Sequence, residues 1–312
     1  MNEANVDLSV NISGVKLRNP VIAASGTFGN SKEYSSIFNV SLLGGICTKG
    51  LTMTPREGNT GVRLCETPGG LLNSIGLENI GIPDFIDKDL PIMRQLGPAI
   101  IANLSGAESD EYIKGAALLD KTSIDMIELN ISCPNVKHGG MAFGLDPGTA
   151  AALVSAVKRV LRNKPLMVKL SPNAPNLVSV ALACVNAGAD ALSLINTIKA
   201  MAIDIVLKKP VFDNITAGLS GPAVKPIALR MVWELYDALL YNGKADIPII
   251  GIGGISCVND ALEFLMAGAA AFQVGTATFV NPHTMTEIID GLSKYMTANK
   301  VAAVPDLSIR GK

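Results

Sequence analysis

Short apolar runs, each followed by a polar Gly/Asn/Ser cluster and then by a stretch with helical spacing, recur along most of the chain. The runs predict strands at Pro20–Ala24, Gly45–Thr48, Ile100–Leu104, Met126–Ile131, Leu166–Leu170, Ala191–Ile195, Pro248–Gly251 and Ala271–Val274. That is about eight, the number a closed parallel barrel requires. Helices are predicted at Ser109–Asp120, Pro147–Arg162, Asn176–Ala187, Ala223–Leu240, Val258–Ala267 and Pro282–Tyr295. In the clearest of them a proline opens the segment, and Leu153, Val154, Val157 and Leu161 share one face. Ahead of the first strand, Val6–Ile12 and Val15–Leu17 flank Ser13-Gly14, the pattern of a hairpin at the barrel bottom. A doubly wound open sheet would carry GxGxxG after its first strand. Here that strand ends in Ala24-Ser25-Gly26-Thr27, and GxGG comes late, at Gly251–Gly254. The expected fold is α/β: one (β/α)8 TIM barrel over residues 1–312 with an N-terminal β-hairpin at its bottom, and no linker dividing the chain.

Composition agrees with that architecture. The chain is 48% hydrophobic but only 4% aromatic and 17% charged, and aliphatic mass of this kind suits parallel strands covered on both faces. A net charge of -1 without basic blocks argues against nucleic acid as a partner. The mean hydropathy of +0.36 raises the question of a membrane. The charge-free stretches 171–189 and 267–286, however, are broken by Pro172, Asn173, Pro175, Asn176, Gln273, Asn281, Pro282 and His283. Neither resembles a span of roughly 20 apolar residues. The first residues, Met1 to Val10, lack the basic and apolar regions of a signal peptide. A cytoplasmic, soluble protein is expected. Cys47, Cys65, Cys133, Cys184 and Cys257 are scattered without a CxxC pair, so no disulfide framework, metal site or iron–sulfur site is expected in this chain. Most should be buried hydrophobes.

Active sites of such barrels lie where strands end and βα-loops begin. Those ends read Ser25-Gly26-Thr27, Thr48-Lys49-Gly50, Asn103-Leu104-Ser105-Gly106, Asn130-Ile131-Ser132-Cys133-Pro134-Asn135, Lys169-Leu170-Ser171, Asn196-Thr197, Gly253-Gly254 and Gly275-Thr276. Turns alone favour Gly, Pro, Asn and Ser, but they do not call for lysines within apolar strands. The pattern describes a donor-rich pocket with two positive charges and no carboxylate at these ends, suited to an anionic, planar, heteroatom-rich ligand. The last two loops form a phosphate-binding pattern. A buried Lys49 or Lys169 needs an anionic partner, which a reduced flavin or a substrate carboxylate would supply. A Schiff-base lysine of an aldolase is the competing assignment. Cys133 opens a Pro/Gly-containing segment, Pro134 to Gly140, with the pattern of a mobile lid. With only His138 and His283 available as histidines, a thiol with reference pKa about 8.5 becomes a candidate general base.

These motifs resemble the dihydroorotate dehydrogenases, and among them the catalytic subunit of the cytosolic NAD-dependent type (class 1B). The resemblance runs from Leu17-Arg18-Asn19-Pro20-Val21 to Gly275-Thr276 and is most specific in Glu66-Thr67-Pro68, Asn73-Ser74-Ile75-Gly76-Leu77, the Asn130–Asn135 motif and Ile195-Asn196-Thr197. Lys137-His138-Gly139-Gly140 and Leu219-Ser220-Gly221-Pro222 are similar to the NAD-dependent rather than the fumarate-using type. The resemblance implies one FMN per chain. Ser25, Lys49, Gly50, Asn103, Asn130, Lys169 and Ile195 would contact it, and Gly221, Gly253, Gly254, Gly275 and Thr276 would hold its phosphate end. It implies that Lys49, Asn73, Ser74, Ile75, Gly76, Leu77, Asn130, Asn196 and Thr197 bind dihydroorotate or orotate, with Cys133 as base. It further implies a homodimer core joined by a separate electron-transfer subunit carrying FAD and a 2Fe–2S cluster. A dihydropyrimidine or dihydrouridine reductase, a fumarate-using enzyme of the same family, a flavin-free aldolase and a catalytically silent scaffold are the competing assignments. The stretch from Val232 to Asp246 is long before strand seven and carries no functional assignment.

Overall fold

The computed structural model describes residues 6–30, 33–132 and 143–310. Eight parallel strands close into a barrel: β1 (Val21–Ala23), β2 (Gly45–Cys47), β3 (Ala99–Leu104), β4 (Met126–Asn130), β5 (Leu166–Lys169), β6 (Ala191–Leu194), β7 (Ile249–Ile252) and β8 (Ala271–Val274). Each pairs with the next in sequence, and β8 returns to β1 with Phe272 opposite Val21. Helices follow as α1 (Leu90–Leu96), α2 (Ser109–Leu119), α3 (Pro147–Val160), α4 (Leu177–Asn186), α5 (Lys225–Tyr241), α6 (Val258–Met266), α7 (Ala277–Val280) and α8 (Thr284–Ala298). After β1 the connection is made by short 3-10 turns at Tyr34–Ser36 and Val40–Leu42. The expected strands and helices are found with ends moved by a few residues at most.

Local chemistry explains where helices start. Asp146 and Asn176 stand just outside α3 and α4, and their side-chain oxygens accept from the amides of Thr149 at 2.8 Å and Ser179 at 2.9 Å. Such caps satisfy amides that the helix itself leaves without partners. The apolar faces then pack on the barrel: Ala150, Leu153, Val154 and Val157 of α3 are all buried.

The N-terminal hairpin is present, shorter than expected on its first strand: Val10–Ile12 pairs with Val15–Leu17. Ile12, Val15 and Leu17 meet Ile22, Ile101, Met126, Met167 and Ile250 around a small apolar void. The hairpin therefore plugs the barrel with an apolar layer. Above that layer the interior turns polar, because residues two further along β3, β4 and β5 are Asn103, Glu128 and Lys169.

A four-stranded antiparallel sheet, not anticipated from the sequence, is inserted after β2 and β6. Its order is Ile198–Ala200, Ala217–Ser220, Gly70–Asn73 and Leu64–Thr67. Leu72, Phe212 and Ala217 form its own small buried cluster. As both insertions are βα-loops, the sheet stands at the barrel's C-terminal rim.

The stretch 232–246 also gains an account. Helix α5 continues through Tyr241 and offers Trp233, Tyr236 and Asp237 to Arg310. The Arg310 guanidinium lies 3.4 Å from the Trp233 ring centroid and pairs with Asp237. That long helix thus fastens the C-terminal segment. The expectation that most cysteines are buried is only half met among the described ones. Cys47 and Cys184 are buried, burial pushing the Cys184 thiol up to about 12, whereas Cys65 is half-buried and Cys257 exposed. Among the described residues, no helix is long and apolar enough to cross a membrane.

Candidate active site

Glu128 organises the polar layer. It is wholly buried, and its carboxylate accepts hydrogen bonds from Cys47 Sγ of β2 at 3.1 Å and Asn103 Nδ2 of β3 at 2.5 Å. Ser193 Oγ of β6 and Gln273 Nε2 of β8 donate to it at 2.8 Å and 2.7 Å. Lys169 Nζ of β5 faces it at 3.8 Å. Burial alone would raise the Glu128 pKa; the Lys169 charge and the hydrogen bonds outweigh it and hold the carboxyl below its ordinary range. Burial, followed by the neighbouring Glu128 charge, pushes the Cys47 thiol well up, so Cys47 stays a donor.

This corrects the picture of a pocket whose lysines find carboxylates only in a ligand. Lys169 has Glu128, and Lys49 has Glu78 at 3.7 Å. Glu78 also takes a 2.5 Å hydrogen bond from Arg63. That bond, with the Lys49 and Arg63 charges, lowers its pKa. Sequence reading missed both carboxylates, although Glu128 carried a signal: in Met126–Asn130 it alternates in phase with Asn130, a residue assigned to the site. The Lys169 ammonium, only 5% exposed, still has no hydrogen-bond acceptor among the described residues, so its three N–H groups remain available.

Above Lys169 the amides converge. Asn130 Nδ2 donates to Asn103 Oδ1 at 3.4 Å, and Ser132 Oγ donates to Asn130 Oδ1 at 2.7 Å. Asn196 Nδ2 reaches Ser132 Oγ at 2.5 Å and Asn130 Oδ1 at 3.5 Å. Tyr112 of α2 fixes this rim from outside, its hydroxyl donating to the Asn130 carbonyl at 2.9 Å. Ser25 sits half-buried just past the end of β1, its backbone close to the Cys47 thiol. A Cβ on Gly50 would lie 2.9 Å from Leu77 Cδ2 and 3.3 Å from Asn103 Oδ1, so this loop reaches the same bowl.

The Asn73–Leu77 segment leaves the inserted sheet and is held on several sides. Asn73 Nδ2 donates to the Gly218 carbonyl at 3.2 Å. Asn59 Nδ2 donates to the Ser74 carbonyl and hydroxyl, both at 3.0 Å, and the Asn59 amide to the Ile75 carbonyl at 2.8 Å. Asn79 Nδ2 donates to the Leu77 carbonyl at 2.7 Å. Gly76 has φ 82 and Leu77 φ 57, which turns the segment sharply. Thr197 lies against Gly218, the sheet partner of Asn73, for a Cβ on Gly218 would fall 2.2 Å from Thr197 Oγ1. Asn59 and Asn79 were not foreseen as supports.

The glycine loops form the far end. Gly221, Gly253 and Gly254 have φ of 99, 133 and 72. A Cβ on Gly254 would lie 2.8 Å from Lys225 N and 2.9 Å from the Gly221 carbonyl, and one on Gly253 would lie 3.3 Å from Ile195 Cγ1. Thr276 Oγ1 donates to Ser220 Oγ at 2.8 Å. Loops after β6 and β7 therefore meet through bare backbone at Gly221 and Gly254, the loop after β8 joins them through the Thr276 hydroxyl, and Ile195 connects them to the bowl. The donor set and this cradle fit a planar heterocycle with a phosphate tail. Ser132 ends the described part of the rim. Cys133, Pro134, Asn135, Lys137, His138, Gly139 and Gly140 lie outside the described residues. No group of three or more His, Cys, Asp or Glu among the described residues is arranged to hold a metal.

Comparison with known proteins matches residues 7–296 to the family model described as dihydroorotate dehydrogenase. A protein of Petrotoga mobilis named dihydroorotate dehydrogenase B (NAD(+)), catalytic subunit, is 55% identical over 97% of this chain and 98% of its own length. Proteins of the same name from Geotalea daltonii and Caldicellulosiruptor saccharolyticus are 52% and 48% identical, with the same coverage of both chains. With its barrel, its converging amides and a match along almost its whole length, this chain belongs to the dihydroorotate dehydrogenase family.

Proposed function

We propose that the chain oxidises (S)-dihydroorotate to orotate in de novo pyrimidine (UMP) biosynthesis, as the FMN-binding catalytic subunit of an NAD-linked enzyme. The observation that carries this reading is the buried Lys169 ammonium, without a hydrogen-bond acceptor among the described residues, beside amides and hydroxyls at the ends of β3, β4 and β6. FMN bound there would accept a hydride from one ring carbon of the substrate. The chain's own groups do the rest. Asn130, Asn196 and the Asn73–Leu77 segment present donors and acceptors to the ring's carbonyl and N–H edges, and Lys49 meets its carboxylate. Cys133 removes the proton from the neighbouring ring carbon. Ser25, Gly50, Asn103 and Ile195 contact the flavin, while Gly221, Gly253, Gly254, Gly275 and Thr276 surround its phosphate.

The chain is read as one FMN-binding unit, residues 1–312, acting in the cytoplasm. Its electrons pass to NAD through a second subunit carrying FAD and a 2Fe–2S cluster, around a homodimer of this chain. The name shared by the relatives, catalytic subunit, supports a separate partner. So does an exposed apolar run at Ile203, Ile205, Val206 and Leu207.

The test is turnover with an artificial acceptor. Yellow protein is expected to oxidise dihydroorotate and to leave dihydrouracil untouched. Colourless protein would favour the aldolase reading, and turnover of dihydrouracil alone would favour a dihydropyrimidine reductase.

A further inference from the structure

Among the described residues, Glu128 is the one charged residue of the barrel interior that the reaction as described leaves without a task. Its four hydrogen bonds, from Cys47, Asn103, Ser193 and Gln273, fill the roughly four acceptor positions of a carboxylate. Lys169 is therefore not needed to satisfy it, and at 3.8 Å the ammonium lies outside hydrogen-bonding distance. What remains between them is charge. The pair is enclosed: Glu128 is 0% and Lys169 5% exposed. Among the described residues, the titratable groups facing the carboxylate are Lys169 on β5 and the Cys47 thiol on β2; Asn103, Ser193 and Gln273 carry no charge.

We propose that Glu128 is a positioning residue for the redox step: it holds Lys169 at a fixed separation and cancels part of its field, and so sets how strongly the bowl prefers reduced over oxidised flavin. The proposal rests on the reading of Lys169 as a neighbour of bound FMN. Reduction adds negative charge to a flavin, and a lone ammonium beneath it would stabilise the reduced form strongly. A carboxylate fixed beside that ammonium opposes the same charge through the same poorly screened interior. Strands β2, β3, β6 and β8 grip the carboxylate from separate directions, so it does not swing aside when the flavin's charge changes.

The test compares midpoint potentials of bound flavin in purified holoenzyme. Glu128→Gln removes the charge and nearly keeps the shape, and Gln273, whose Oε1 is buried without a partner, can turn that oxygen to the new amide. The expected result is at least about a tenfold gain in preference for the reduced form, an upward shift of about 30 mV for two electrons. Glu128→Asp keeps the charge and should stay within about threefold of wild type on the same scale. An unchanged or lowered potential in Glu128→Gln overturns the proposal, as does an equal shift in Glu128→Asp. Should Glu128→Gln not fold, the wild-type holoenzyme still decides. With carbon-13-labelled glutamate, its reduced-minus-oxidised infrared spectrum should show an ionised carboxylate band that persists in Glu78→Gln protein. Absence of that band refutes the coupling. Protein that binds no flavin removes the reading of Lys169 and this proposal together, whereas flavoprotein indifferent to Glu128→Gln removes the proposal alone.

Discussion

Replacing Lys169 by Met should invert the pH dependence that Glu128 contributes to stability. In the wild type the Glu128 carboxyl titrates below its ordinary value of 4.5. Its contribution is therefore present above that value and fades only as the pH falls through the lowered pKa. Methionine keeps most of the side-chain volume and removes the charge 3.8 Å away. Coulomb's law at an effective dielectric of about 20 gives the lost attraction as about 4 kcal/mol, within the range of about 3–5 kcal/mol for breaking a buried pair by deleting one partner. Burial then dominates, and the folded-state pKa rises above the unfolded value. With the sign reversed, stability is favoured at low pH and declines as the pH climbs toward the raised pKa, by up to about 1.4 kcal/mol per pH unit. Urea unfolding of flavin-free protein from about pH 5 to about pH 8 should show a deficit that widens with pH, while Lys169→Met/Glu128→Gln shows none of that widening. A deficit that stays constant over the range, or below about 1 kcal/mol throughout, would refute the coupling.

Three further outcomes follow from other parts of the molecule. Cys133→Ala should retain FMN yet slow proton abstraction at least about a hundredfold; near-normal turnover at neutral pH would remove Cys133 as the base. Gly254→Ala places a methyl against the Lys225 amide and the Gly221 carbonyl at φ 72, a strain of about 1–3 kcal/mol before any clash. FMN affinity should fall more than about tenfold by fluorescence titration, while Gly243→Ala, with φ 66 and open space around it, should leave flavin binding unchanged. Arg310→Ala should cost about 1–2 kcal/mol and alter the emission of Trp233, the chain's single tryptophan; unchanged emission would mean the guanidinium does not stack in solution.

The barrel was legible because its strands are predominantly apolar runs and its helices repeat at 3.6 residues, so each element announces itself locally. The inserted sheet did not. Leu64–Thr67 and Gly70–Asn73 are only four residues each, mostly half-buried or exposed, and the pairing of Gly70–Asn73 with Ala217–Ser220 is long-range. The site was legible where residue type alone is unusual, as with Lys169 and the amides. Its counter-charges were not: Glu78 stands in a polar loop like many surface glutamates, and Glu128 looks like a lone interruption of an apolar run until the register with Lys169 is known. Asn59 and Asn79 act by bracing a backbone that only the folded chain brings to them.

The strand Gly70–Asn73 reaches its neighbour Ala217–Ser220 across a long stretch of chain, the Asn73 side chain bonding a carbonyl 145 residues further on. At a synthesis rate of about 5–20 residues per second, roughly 7–30 seconds separate the emergence of those two segments. Throughout that interval a growing polypeptide presents a solitary hairpin with open edges and no finished rim. Ligand capture must therefore come late in maturation, and the exposed edge is where a chaperone would find its handhold.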